Sequence, residues 1–408
     1  MAHTAAHRTT DCSHIVGDRA GRGQRLRLAH WAAWLLALSL TSGCTAVRTV
    51  VHNLADLDDH RIFANRTVAN GARASTLRTV SRTPAYLSRL QLGQDSGTIS
   101  LEGYLDGTGT AAFLVLHEDR VVYERYARGY DERSLLNSFS IAKAVMGTLV
   151  GIAIADGRIR GLDATVAEYR PDLASTAYAG VTVRQLLAMT SGLGDRPSML
   201  PGRSQYYYGD DLLDVLAGAR PEARPANQWR YSEADIQVLG LVLAAAVGKT
   251  ISEYLAEKLW QPLGMESPAL WALDREGGTE KAFCCISARA RDFARLGRLW
   301  LDEGRWDGKS IVNAGWMREG VPGVRTPDGY THRNLFWLPE GGHGDFYAYG
   351  HNGQYLYVNP AARVVIVKFS ETARQDPLPV FRSIAEAIAT PERIAEIDRL
   401  ASDFFASR

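Results

Sequence analysis

Residues 137–157 read NSFSIAKAVMGTLVGIAIADG, and how this stretch folds decides the architecture around it. Its apolar residues are dense enough for a buried helix over about 138–155, ended by the turn signal in ADGRIRG, residues 155–161. Ser140 and Lys143 stand three residues apart near its start, which puts both on one helix face. A serine hydroxyl is a poor nucleophile without an adjacent base. A lysine can be that base when burial or positive neighbours lower its pKa. Ile141, Ala142, Val145, Met146 and Val150 supply apolar surroundings of that kind. The competing reading is a surface lysine at a helix start, with Ser138 or Ser140 as the cap. Ser-x-x-Lys is common by chance, so the rest of the chain must decide.

Upstream, AAFLVLHEDRVVYERYARGY (111–130) gives two strand-like runs around a HEDR turn. Downstream, TVRQLLAMTSGLGD (182–195) reads as a helix stopped by glycines, and residues 195–228 as loops around one helix near DDLLDVLAG. Helices are expected over SEADIQVLGLVLAAAVG (232–248), TISEYLAEKLWQPLG (250–264) and SARARDFARLGRLWLDEG (287–304). GQYLYVNPAARVVIVKFS (353–370) is a hairpin turning at Asn359-Pro360, followed by a helix over PVFRSIAEAIA (379–389). Strands at both ends of a mainly helical middle predict an α/β (α+β) fold. Its antiparallel sheet is built from both chain ends and flanked by helices, with a helical region inserted. The expected organisation is a targeting segment (1–44), a lead-in packed on the domain (45–104), the main domain (105–395) and a C-terminal tail (396–408).

The 408 residues are 46% hydrophobic and 22% charged, an ordinary globular balance with ample material for a core. A formal charge of +1 carries no nucleic-acid footprint. Cys284 and Cys285 are adjacent, so ring closure between them is strained and they form no spaced metal cluster; they are expected as small buried residues. Near the N-terminus, Arg19, Arg22, Arg25 and Arg27 precede WAAWLLALSL (31–40) and TSGCTAV (41–47). A basic segment, a short apolar run and small residues describe an export signal, too short to span a bilayer comfortably. Ser42-Gly43-Cys44 resembles a bacterial lipoprotein processing site with Cys44 as the lipidated residue, although Leu40 sits one place further away than is usual. The expectation is a periplasmic or cell-envelope protein, attached to a membrane through Cys44 or the N-terminal segment.

The company of Ser140 and Lys143 raises their significance. WRYSEADIQVLG (229–240) carries Tyr231, and YGHNGQYLYV (349–358) carries His351 and Gly353 before a strand. In order and spacing these resemble the serine β-lactamase and penicillin-binding protein superfamily, nearest to class C β-lactamases, related esterases and 6-aminohexanoate-dimer hydrolases. LLAMTSGL (186–193), QPLGM (261–265) and ARDFARLG (290–297) resemble further family segments. The likeness spans roughly residues 105–390.

The resemblance implies that Ser140 attacks a carbonyl carbon, that Lys143 takes its proton directly or with Tyr231, and that Tyr231 passes a proton to the leaving group. The oxyanion would be held by the backbone N–H groups of Ser140 and Gln354. His351, where many relatives carry lysine, would orient substrate, although a histidine at a strand end is also a common structural hydrogen-bonder. Glu233 stands where class C enzymes carry asparagine; it could pair with Lys143 or face solvent. The loop SQYYYGDD (204–211), with Tyr206, Tyr207, Tyr208, Asp210 and Asp211, could line a cleft or simply pack. Trp229, Phe336 and Trp337 are weaker candidates for its walls, with core packing rated first.

No G-x-S-x-G elbow is present, HEDRV (117–121) lacks the second histidine of a zinc motif, and no glycine-rich phosphate loop precedes a helix. No cofactor or metal is therefore expected. The substrate would be a small ester, amide or short peptide-like molecule, with no nucleic acid. The histidine and Glu233 favour ester or amide cleavage. β-Lactamase or D-alanyl peptidase activity, and a non-enzymatic peptidoglycan-binding module on the same fold, are the alternatives.

Overall fold

The computed structural model describes residues 45–406, apart from 53, 95–96, 195–201, 223–227 and 374, so Cys44 and the rest of the targeting segment lie outside the described residues. The chain separates into two units, Met1–Asn53 and Leu54–Arg408. The first contributes a short helix, Thr45–Val51. All that follows concerns the second.

Its centre is a nine-stranded sheet. The strands are β1 (Arg78–Thr79), β2 (Thr110–His117), β3 (Arg120–Tyr126), β4 (Val324–Arg325), β5 (Thr331–Arg333), β6 (Phe336–Leu338), β7 (Phe346–Gly350), β8 (Gln354–Asn359) and β9 (Val364–Ser370). Their spatial order is β4-β5-β6-β7-β8-β9-β2-β3-β1. Every neighbouring pair is antiparallel except β1 on β3. Early strands β2 and β3 thus complete a sheet whose other half is made some 200 residues later. That is the arrangement read from strand signals at both chain ends.

All of β9 is buried, because both sheet faces are covered. Val365, Val367 and Phe369 enter the larger core with α1 (Ile141–Ala155), α2 (Glu233–Val247) and α3 (Ala290–Leu301). Val364 and Ile366 enter a second core with Phe113, Tyr357 and Phe381, the last on α4 (Leu378–Ile388). The expected tail is helical: α5 (Pro391–Ala406) buries Ile397 and Leu400 in this second core.

Helix α1 buries every residue from Ile141 to Ala153. A Cβ on Gly147 would sit 2.4 Å from the carbonyl oxygen of Asn334, so only glycine lets the strand loop approach this closely. Gly157, in the left-handed region at φ 69°, turns the chain at its end. The helix over Val183–Ala188 ends differently from expectation: Met189, at φ 52°, is its left-handed cap, and the glycines come later. The segment read as loop before residue 210 also holds a second helix, Gly202–Tyr207.

A smaller antiparallel sheet reaches the candidate nucleophile. It runs Asn65–Val68, Ala269–Ala272, Ile286–Ala288, Leu136–Asn137. The lead-in is thereby an integral layer. It is fastened again where the buried Arg295 donates from Nε to Ser75 Oγ at 2.9 Å.

Candidate active site

Ser140 stands at the N-cap position of α1 without a side-chain capping bond and is half-buried, while Lys143, one turn on, is buried. The Lys143 amine lies 2.9 Å from Ser140 Oγ and donates to the carbonyl oxygen of Phe283 at 2.7 Å. These two contacts aim the amine at the hydroxyl. The surface-lysine reading is therefore replaced by a buried one.

The residue before the candidate nucleophile, Phe139, takes φ 45°, an uncommon conformation for a bulky side chain. Several neighbours hold it there. Its carbonyl accepts from Cys285 N–H at 3.1 Å, and its own N–H donates to Asn137 Oδ1 at 3.1 Å. Its ring stacks on Tyr207 at 6.0 Å and meets His351 edge-on at 5.7 Å. Cys284 and Cys285 are buried as expected, yet they are bonded to one another in a disulfide, contrary to the expectation from ring strain. Cys285 reaches this arrangement in the left-handed region, at φ 75°.

Tyr231 stands one residue before the Ser232 cap of α2, whose hydroxyl accepts from Asp235 N–H at 3.1 Å. The Lys143 amine lies 4.7 Å from the centre of the Tyr231 ring, over its face. Trp337 stacks on Tyr231 at 6.2 Å, and Trp229 meets it edge-on at 6.4 Å. Both tryptophans, rated first as core packing from sequence, thus form the wall behind this tyrosine. Phe336 points elsewhere and packs on Trp300.

His332 closes the wall, 5.4 Å from Trp337 and 5.7 Å from Trp229. Burial, with the Lys143 charge adding to it, pushes its pKa down to about 3, so it stays neutral at ordinary pH. Neither His332 nor the carbonyl of Phe283 was marked by any motif. The first is a lone histidine in a polar stretch, and the second acts through its backbone.

The other predicted residues are distributed as follows. Glu233 opens α2 and is half-buried. Its carboxylate sits in the helix's first turn, where the dipole favours negative charge. Tyr208 is buried against Phe63 and Tyr207, and the backbone carbonyl of Asp210 accepts from Arg275 at 2.7 Å. Of the SQYYYGDD segment, Tyr207 is the residue stacked beneath the nucleophile turn. Its hydroxyl donates to Asp59 Oδ2 at 2.5 Å, and burial together with that carboxylate raises its pKa well above the usual phenol value.

His351, Asn352 and Gly353 form the turn between β7 and β8, with Gly353 at φ 83°. Gln354 is fully buried and pairs with Gly350 across the hairpin. A Cβ on Gly350 would lie 2.3 Å from the carbonyl oxygen of Ser138, so this glycine is where the hairpin meets the nucleophile turn. Gly350→Ala is expected to push the two apart and slow any reaction of the Ser140 hydroxyl with an ester about 100-fold, as small misplacements of reacting groups do. Stopped-flow release of nitrophenol from p-nitrophenyl butyrate measures this; an unchanged rate would show the contact to be irrelevant to the chemistry.

Comparison with known proteins places this geometry. The beta-lactamase family model matches residues 101–389. The chain belongs to the beta-lactamase family. Among curated relatives of this beta-lactamase-family chain, a 6-aminohexanoate-dimer hydrolase of Paenarthrobacter ureafaciens is 30% identical over 297 residues, covering 66% of this chain and 74% of the relative. Esterase EstB of Burkholderia gladioli is 31% identical over 182 residues, 38% of this chain and 45% of the esterase. Among solved structures, a Bacillus anthracis protein described provisionally as a 6-aminohexanoate-dimer hydrolase superposes with a TM-score of 0.72 at 24% identity, covering 85% of this chain and 93% of that one. A class C beta-lactamase of Rhodobacter sphaeroides superposes with a TM-score of 0.53 at 18% identity, covering 70% and 96%. These structural likenesses concern the fold. Taken with the curated hydrolase and esterase relatives, family membership makes the chain a serine hydrolase.

Proposed function

We propose that the chain cleaves an ester or amide through a transient acyl-enzyme at Ser140. The observation that carries this reading is the Lys143 amine, 2.9 Å from Ser140 Oγ at the half-buried start of a helix and over the face of Tyr231. In the proposed mechanism, neutral Lys143 accepts the hydroxyl proton as Ser140 Oγ bonds to the carbonyl carbon. Tyr231 then delivers a proton to the departing alcohol or amine. Lys143 passes its proton to Tyr231, restoring the pair; water then attacks the acyl carbon, losing a proton to that pair, and the bond to Ser140 Oγ breaks as that oxygen takes the proton back and the acid leaves.

The negative oxygen of each tetrahedral intermediate is proposed to rest against the Ser140 N–H at the start of α1 and against the Gly350–Gln354 hairpin, where Gln354 is the donor implied by family likeness. Ester or amide cleavage is favoured over β-lactam hydrolysis because His351 stands where a lysine would meet a β-lactam carboxylate, and Glu233 replaces an amide. The named activities of two curated relatives, hydrolysis of an aminohexanoate dimer and an esterase, lean the same way, while a third, 22% identical over 188 residues, is provisionally named as a D-alanyl-D-alanine carboxypeptidase.

The test is pre-steady-state reaction of the purified protein with p-nitrophenyl butyrate. A burst near one equivalent is expected, absent from Ser140→Ala. No burst, no turnover above that variant and no labelling of Ser140 by a fluorophosphonate would sink the acyl-enzyme reading and favour a binding module on this fold.

A further inference from the structure

Behind the hairpin that meets the nucleophile turn lies a buried amine with no part in the proposed chemistry. Lys368, on β9, is almost wholly buried and its amine donates to Ser370 Oγ. Both backbone groups of Ser370 are occupied by one side chain. Ser370 N–H donates to Gln354 Oε1 at 2.8 Å, and Gln354 Nε2 donates to the Ser370 carbonyl at 2.7 Å. The same Nε2 donates to the His351 carbonyl at 2.8 Å. The Gln354 amide therefore clamps the turn of residues 351–353 to the end of β9. The ladder between β9 and β2 shifts register between Phe369 and Ser370, an irregularity that re-aims Ser370. At the other end of the hairpin turn, Gly350 lies so near the Ser138 carbonyl that a Cβ would not fit between them. A chain of contacts thus runs from Ser370 through Gln354 to the turn, and from the same hairpin through Gly350 to Ser138, two residues before Ser140.

A lysine is rarely buried without a charge partner. Among the described residues no carboxylate pairs with Lys368. Its sheet neighbours are Tyr355 on β8 and Phe113 on β2. Tyr349, Asp376, Tyr104 and Tyr330 act electrostatically on Tyr355 in turn. A methionine would fill the same space without the cost of desolvating an amine, which suggests that the amine's contact with Ser370 serves the site.

We propose that Lys368 is a positioning residue for the hairpin turn beside the nucleophile, acting through Ser370 and the side chain of Gln354. This rests on the acyl-enzyme reading. Burial lowers the pKa of Lys368 to about 7. Below that pH the ammonium gains an N–H it cannot satisfy in apolar surroundings, which draws it from Ser370 toward water and loosens the clamp. The rate therefore falls on the acid side of neutrality.

The test compares full-length wild type with Lys368→Met, Lys368→Gln and Ser370→Ala in nitrophenyl butyrate kinetics across neutral pH, with fluorophosphonate labelling in parallel. Lys368→Met and Ser370→Ala are expected to slow acylation about 10-fold with KM little changed, because they misplace the turn without touching substrate. Lys368→Met also loses the ionisation near neutrality. Lys368→Gln, an uncharged donor, recovers the rate but not the pH dependence. If wild type is labelled and Lys368→Met and Ser370→Ala both match it, the positioning role is wrong while the acyl-enzyme stands. A uniform loss at every pH, with the wild-type profile retained, also overturns it, as a structural effect. Failure to label wild type overturns the acyl-enzyme reading first, and this one with it.

Discussion

Replacing Lys143 by methionine is expected to lower the acylation rate about 1,000-fold while the protein stays folded. A positioned general base contributes roughly 10²- to 10⁴-fold, and Lys143 is the basic group in contact with the Ser140 hydroxyl. Methionine has a similar length and suits the rings of Tyr231 and Phe283 beside it. The folding cost is expected to be about 1–3 kcal/mol, because the Phe283 carbonyl loses its donor. Circular dichroism and single-turnover kinetics separate the two effects. A loss smaller than about tenfold would mean that another group takes the serine proton, with Tyr231 as the next candidate.

Lys368→Met has the second large expected effect, on stability. In the unfolded chain this amine titrates near 10.4. In the fold, burial brings its pKa down to about 7. The folded state therefore binds this proton more weakly than the unfolded state does. Below about pH 7 the whole penalty is felt, on the order of 4–5 kcal/mol. It shrinks as pH rises from there and is gone above the unfolded pKa. Wild type should accordingly gain stability between neutral pH and about pH 10 from this residue, and Lys368→Met should lack that gain. In mild acid the wild-type ammonium has already been drawn from Ser370, so the variant forfeits no bond there and should be more stable than wild type by a few kcal/mol. Urea unfolding at three pH values measures this, and parallel curves for the two proteins would contradict it. A variant that is steadier yet slower would fit the common exchange of stability for site geometry.

Much of this arrangement was legible in the chain. The crowded apolar run of α1 and the Ser140–Lys143 spacing follow from helical periodicity, and the strand signals at both ends gave the sheet's composition. The left-handed cap at Met189 was not legible, because a bulky residue there is held by its surroundings rather than by its own preference. The helix over Gly202–Tyr207 was hidden by its tyrosines and flanking glycines, which read as loop. The placing of Trp229 and Trp337 behind Tyr231 depends on pairing between strands distant in sequence. The carbonyl of Phe283 carries no side-chain signature at all, and the disulfide between Cys284 and Cys285 ran against a general expectation.

The Ser138–Ser140 turn draws its neighbours from the whole length of the domain. Asn137 lies before it, Tyr207 stacks on Phe139 from about 70 residues later, Cys285 bonds to Phe139 from about 140, and Gly350 meets Ser138 from about 210, while Tyr231 and Phe283 meet the neighbouring Lys143. Local pairing cannot assemble such a centre, and contacts this distant in sequence close slowly. A chain emerging from the ribosome would carry Ser140 through most of its synthesis as an ordinary, unreactive hydroxyl. On the proposed acyl-enzyme reading, reactivity at Ser140 would appear only once the later strands had joined the sheet, so a nascent or truncated chain could not turn that serine on bystander molecules.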